Sequence, residues 1–185
     1  MDNNVRIRIT DEELEFIKRS IGLSYTGRFV VPGVDPKYRE INARLCRSIA
    51  LFAWHKYWFG SGESYAVHQW YTARGAEYQW DVRGMNVKVV GYISEDSAKT
   101  LSSYKLSVKK SDIGEETGVW VLAVVVMIDR KKSKEVAAGV YLLGWADSDM
   151  LLENAEDRDL AEFPAHSLCM LPPIRHFWTF ETNTT

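Results

Sequence analysis

The stretch "VWVLAVVVMI", residues 119–128, decides how the rest of the chain is read. It carries no charge, and it is about half the ~20 residues that a membrane-spanning helix needs. An unbroken apolar run rich in β-branched side chains marks a strand buried on both faces, at the centre of a sheet. The neighbouring sequence supplies the rest of that sheet. "DRKKSKE", residues 129–135, reads as a charged hairpin tip, and "VAAGVYLLGWA", residues 136–146, returns as a further strand. "DSDMLLENAE" then begins a helix with Asp147 or Ser148 as its cap. Upstream, "YKLSVKK" at residues 104–110 alternates like a half-exposed strand, and the polar "SEDSAKTLSS" before it is a loop.

Helices enter from the N-terminal side. "VRIRIT", residues 5–10, alternates as a short strand, and Thr10 or Asp11 caps a helix with an acidic first turn. Lys18, Arg19 and then Gly22 close it, matching the helix dipole and the usual stop signals. This strand-then-helix order is similar to that of ribbon-helix-helix DNA-binding proteins, but it is also common in α+β domains. Residues 24–38, "SYTGRFVVPGVDPKY", form a connector with an extended piece at 29–31. Pro36 opens the strongest helix, which runs to about Trp58. Tyr38, Ile41, Leu45, Ile49 and Phe52 fall on one stripe of it at three- and four-residue spacing. Its aromatic end, "FAWHKYWFG", is packing material, with His55 packed or solvent-facing rather than catalytic. A strand is expected at 65–72, and a short edge strand at 167–171 in the proline-rich tail.

At 185 residues, with 46% hydrophobic and 26% charged side chains, the chain has the size and balance of one soluble folded domain. The formal net charge of −2 gives no global positive field, so a nucleic acid would have to be held by a local patch. The basic residues 130–134 and the pair Lys109 and Lys110 are such patches in principle, but charged hairpin ends are usually solvated and guard against edge pairing. Cys46 and Cys169 have no metal-ligand spacing, and the N-terminus lacks the apolar core of a secretory signal, so a reducing, cytoplasmic setting without a membrane span is expected. No P-loop, GxSxG, dinucleotide fingerprint or HExxH occurs. His68, His166 and His176 sit at no metal-like spacing and read as structural or exposed.

Chemistry concentrates at residues 77–91, "EYQWDVRGMNVKVVG", two short strands around a glycine-bearing turn. Side chains alternate in a strand, so Glu77, Gln79 and Asp81 share one face, and beyond the turn Asn86 and Lys88 share another. If pairing puts the two polar sets on one side, a carboxylate, an amide oxygen and an ammonium converge. Oxygen ligands hold Mg²⁺ or Mn²⁺, the ion polarises a phosphate and activates water, and a lysine orients that water or stabilises the developing charge. The plainer alternative is a hairpin with one wet face.

The order of elements adds to this. A helix, a strand ending in Asp81, a partner carrying Asn86-x-Lys88, further strands, a Gly-Trp strand end and a helix resemble the PD-(D/E)xK, or restriction-endonuclease-like, nucleases, especially small phage and bacterial members. The resemblance spans about residues 38–174 and implies a single α+β domain, a central mixed β-sheet flanked by helices. Within it, residues 1–35 form an N-terminal strand-helix extension, 36–175 the nuclease-like core and 176–185 a tail. It also implies that Asp81 binds metal, that Lys88 is the motif lysine, and that Glu40 on the long helix supplies an acid. Asn86 departs from the pattern, which has an acid there; its amide oxygen can ligate a cation but adds no charge, and Glu77 is the candidate substitute. Two functions follow as expectations: a Mg²⁺- or Mn²⁺-dependent nuclease acting on DNA, often dimeric, or a scaffold without catalysis that binds a protein partner, as an inhibitor in phage–host conflict would.

Overall fold

The computed structural model describes residues 4–21, 36–60, 81–82, 85–94, 98–113, 118–126, 138–155 and 159–171. Its strands are β1 (Val5–Ile9), β2 (Asp81–Val82), β3 (Met85–Ser94), β4 (Lys105–Lys109), β5 (Gly118–Val126), β6 (Ala138–Asp147) and β7 (Leu160–Pro164). The helices are α1 (Asp11–Ser20), α2 (Pro36–Phe59) and α3 (Ser148–Glu153).

Eight of the nine residues of β5 are buried, and the strand sits in the middle of a five-stranded sheet ordered β1-β6-β5-β3-β2. It runs parallel to β3 and antiparallel to β6, so the sheet is mixed. The apolar run is continuous because the strand serves two cores. Val121, Ala123 and Val125 face α1 and α2, packing with Leu14, Ile17, Ile49, Phe52 and Tyr57. Trp120, Leu122 and Val124 face the other way, under a separate antiparallel ribbon of β4 and β7 and under Leu151 of α3. A period-two strand between two apolar layers has no polar face to show.

The ribbon explains the alternation of β4. Leu106 and Val108 point into the second core, while Lys105 and Lys109 are exposed. Its partner β7 was not visible in the sequence pattern, because Leu160 and Glu162 alternate with Ala161 and Phe163 over only five residues ending in proline.

At the other side of the sheet, β1 pairs with β6 of its own chain, and Ile9 joins the same core as α1 and α2. Helix α1 begins with a capping box. Thr10 Oγ1 accepts from Glu13 N–H at 3.2 Å, and Thr10 N–H donates to Glu13 Oε2 at 2.8 Å. Glu13 has a second oxygen to use. Lys56 Nζ donates to Oε1 at 2.7 Å and to the Arg8 carbonyl at 3.1 Å, which fastens the end of α2 to the β1–α1 corner.

Helix α2 starts at Pro36 as its sequence requires. Leu45, Ile49 and Phe52 of the expected stripe are buried, but so are Ala50, Ala53, Trp54, His55 and Tyr57. The last turns are therefore enclosed nearly all round, and His55 is a packed residue.

Two segments differ from what their sequence predicts. Residues 98–103, within the expected polar loop, form a 3₁₀ segment whose Leu101 is buried. The expected strand at 167–171 is a single bridge after a 3₁₀ turn at Ala165–Ser167. Trp145 N–H donates to the Cys169 carbonyl at 3.0 Å and Cys169 N–H to the Trp145 carbonyl at 2.9 Å. Val5, the first residue of β1, pairs with Leu142, and the Cys169 bridge lies three residues further along β6, at Trp145. Gly144 makes the crossing close, with φ of 148° at a bulge where β6 slips against β5. The expected elements at 29–31, 65–72 and 130–134 lie outside the described residues.

Candidate functional site

The site expected from the sequence lies at the β2 edge of the sheet. β2 and β3 pair antiparallel, with Asp81 opposite Asn86 and Val82 opposite Met85. Residues directly opposite in an antiparallel pair stand on the same face, with Cβ atoms about 4.5–5.5 Å apart. Position 88, two residues further along β3, returns to that face. The backbone therefore brings Asp81 and Asn86 together in one row and puts Lys88 in the next.

The parallel pairing of β3 with β5 identifies the face. Asn86 is in register with Gly118 and Lys88 with Trp120. Trp120 belongs to the core beneath the β4–β7 ribbon, on the side of the sheet away from α1 and α2. Helix α2, which carries Glu40, packs on the opposite side. Glu77, the candidate second carboxylate, lies outside the described residues.

Next to the row the sheet ends in an ordered polar joint. β6 stops at Asp147, opposite Val119, so it offers no further rung to β5. The buried hydroxyl of Ser148 takes that place, accepting from Gly118 N–H at 3.0 Å and donating to the Gly118 carbonyl at 3.3 Å. Ser148 is held at the start of α3, where Asp147 caps the helix by accepting from Met150 N–H at 2.8 Å. The ring of Trp120 lies across Gly118, and a methyl group at 118 would stand 2.8 Å from Trp120 Cη2. From the sequence, Ser148 was expected only as an alternative helix cap, and neither Gly118 nor Trp120 was singled out. The signal at Gly118 and Trp120 was a glycine two residues before a tryptophan at the start of the apolar strand β5.

Compared with known proteins, the chain matches no family model, no curated protein and no solved structure.

Asp81 brings one negative charge, Asn86 a neutral amide and Lys88 a positive charge. Among the described residues, no group of three or more His, Cys, Asp or Glu side chains is gathered in a way that could hold a metal ion. No helix among them is long and apolar enough to cross a membrane.

Other reactive groups are kept out of play by packing. Burial in α2 pushes the Cys46 thiol up to about 12, against a smaller lowering by Arg47, so it is a thiol and a core residue rather than a nucleophile. Burial likewise raises the Tyr57 hydroxyl to about 12. Trp54 stacks on Tyr57 at 5.7 Å and meets Trp58 edge-on at 5.0 Å, while His55 lies 6.0 Å from Phe59. The aromatic end of α2 is thus an interlocked piece of core. Cys169 is half-buried with its Sγ 3.8 Å from Met150 Sδ, a packing contact between the tail and α3. His166 sits in the 3₁₀ turn after β7, and His68 and His176 lie outside the described residues.

Proposed function

We propose that the chain is a nuclease-like protein that acts on DNA through a divalent cation held at the Asp81–Asn86 row. The observation that supports this most is the register itself. An acid and an amide are directly opposed in register on the β2–β3 pair, with a lysine one row along, and β2 is the last strand in the sheet order of the described residues. Asp81 and Asn86 offer only oxygen donors, which suits a hard cation such as Mg²⁺ or Mn²⁺ that keeps several of its waters and takes one or two carboxylates from the protein. When bound, such an ion polarises a phosphodiester and lowers the pKa of a coordinated water. Asp81 would supply the charge of the site, Asn86 a neutral ligand that fixes position, and Glu77 a second carboxylate. Lys88 would orient the attacking water or stabilise the charge that develops on the phosphate oxygens.

The neutral amide at 86 favours a second reading on the same scaffold, in which catalysis is lost and the fold binds a protein partner. Nuclease assays with Mn²⁺ and with Mg²⁺ on double- and single-stranded DNA separate the two. Metal-dependent cleavage that disappears in Asp81→Ala and Lys88→Ala is the expected result for an active site. Cleavage unchanged in both variants would remove the row from the chemistry. No cleavage by the unaltered protein, together with a stoichiometric protein partner recovered by affinity purification, would establish the second reading.

A further inference from the structure

We propose that Ser148 is a positioning residue for the Asp81–Asn86 row, an inference that rests on reading this row as the cation site. In a strand, the N–H and C=O of one residue point to the same edge. For Gly118 both meet the Ser148 hydroxyl, at 3.0 and 3.3 Å, on the side where β6 has already ended at Asp147. One side chain therefore does the work of a missing rung. Asn86 is the register partner of Gly118 across the sheet, and Asp81 the partner of Asn86. The order Ser148, Gly118, Asn86, Asp81 is a continuous row across the end of the sheet. Its two outer members differ in support: Ser148 is anchored in a capped helix, whereas β2 is a two-residue edge strand. Among the described residues, the anchored end of the row is the α3 side.

Gly118 cannot be secured by packing in the ordinary way, because it has no side chain. The ring of Trp120 closes over it on one face, leaving a methyl no room. The hydroxyl of Ser148 secures its main-chain edge. If the hydroxyl is removed, two buried backbone groups lose their partner, and the first rung of β5 opens where Asn86 pairs. Groups that hold a ligand's support in place matter for affinity even when they never touch the ion.

The test compares Ser148→Ala with Asp147→Ala in the full-length chain. Asp147→Ala removes the cap of α3 but leaves the hydroxyl on Gly118, so it controls for a merely weaker helix. Amide exchange in the metal-free protein and the Mn²⁺ dissociation constant are both measured. Ser148→Ala should raise exchange at Gly118 and Asn86 about tenfold relative to Val140 and Leu142 in β6, since buried main-chain groups lose their partner. Mn²⁺ binding should weaken about tenfold, as for loss of an outer support, while Asp147→Ala changes it less than about twofold. Unchanged relative exchange at Asn86 in Ser148→Ala would overturn the proposal, and so would equal weakening of Mn²⁺ binding by both variants. If the unaltered protein binds no Mn²⁺, the cation reading fails, and the exchange ratio alone still decides whether Ser148 holds the row.

Discussion

Replacing Gly144 with alanine tests whether the tail crossing is a structural joint or a loose contact. Two penalties coincide at this residue. Its φ of 148° is one that side chains with a Cβ rarely adopt, which costs of the order of 1–3 kcal/mol. The new methyl would stand 2.7 Å from both the Cys169 carbonyl oxygen and Leu168 Cβ. One of these is main chain, so relief requires moving the tail. That movement strains the paired bonds between Trp145 and Cys169, each worth about 1 kcal/mol. The Trp145 Nε1 bond to the Met170 carbonyl is on the same segment and is disturbed with them. A loss of about 3–5 kcal/mol is expected, a large fraction of the stability of an ordinary domain. Urea unfolding followed by tryptophan fluorescence measures it, and at this chain length the melting temperature should fall by roughly 6–20 °C. A loss below about 1 kcal/mol would mean that the tail yields freely, and that the crossing does not hold the sheet.

Gly118→Ala meets a ring rather than backbone and should cost less, about 1–3 kcal/mol; combining it with Trp120→Leu should recover part of the loss in a double-mutant cycle. The Lys56–Glu13 pair, partly exposed at both ends, should show a coupling of about 0.5–1 kcal/mol between Lys56→Met and Glu13→Gln, reduced by salt. Cys46 and Tyr57 have folded values raised to about 12 by burial, above the unfolded values of about 8.5 and 10. The unfolded chain therefore loses these protons first, and the stability they contribute is intact below those unfolded values and declines as pH rises towards the folded ones. Urea midpoints measured from neutral to alkaline pH should fall in that window, and Cys46→Ser with Tyr57→Phe should flatten the decline.

The elements with strong local signals were legible in the sequence. Thr10, the acidic first turn and the basic last turn placed α1, Pro36 and the apolar stripe placed α2, and the charge-free run from Val119 placed the central strand. Asp147 was visible as a cap because its role is local. What escaped depends on partners distant in sequence. β7 is a strand because β4 lies beside it, and Cys169 is bridged by Trp145, 24 residues earlier in the chain. Burial of most of the last turns of α2 was hidden for the same reason, since a stripe indicates one buried face and not the α1 and β1 contacts that cover others. At the site, alternation and the turn gave Asp81, Asn86 and Lys88 as a set, and the pairing of β2 with β3 puts the first two in register. The Ser148–Gly118 joint could not be foreseen, because it is a 30-residue contact between a helix start and a strand start with no motif of its own.

The most direct measurement of the central claim is Mn²⁺ affinity across a charge series at the row: Asp81→Asn, the unaltered protein and Asn86→Asp. If the row holds the cation, binding should strengthen in that order, because each step adds one carboxylate to an otherwise unchanged set of oxygen donors. Equal affinities in all three, or none in any of them, would contradict the account.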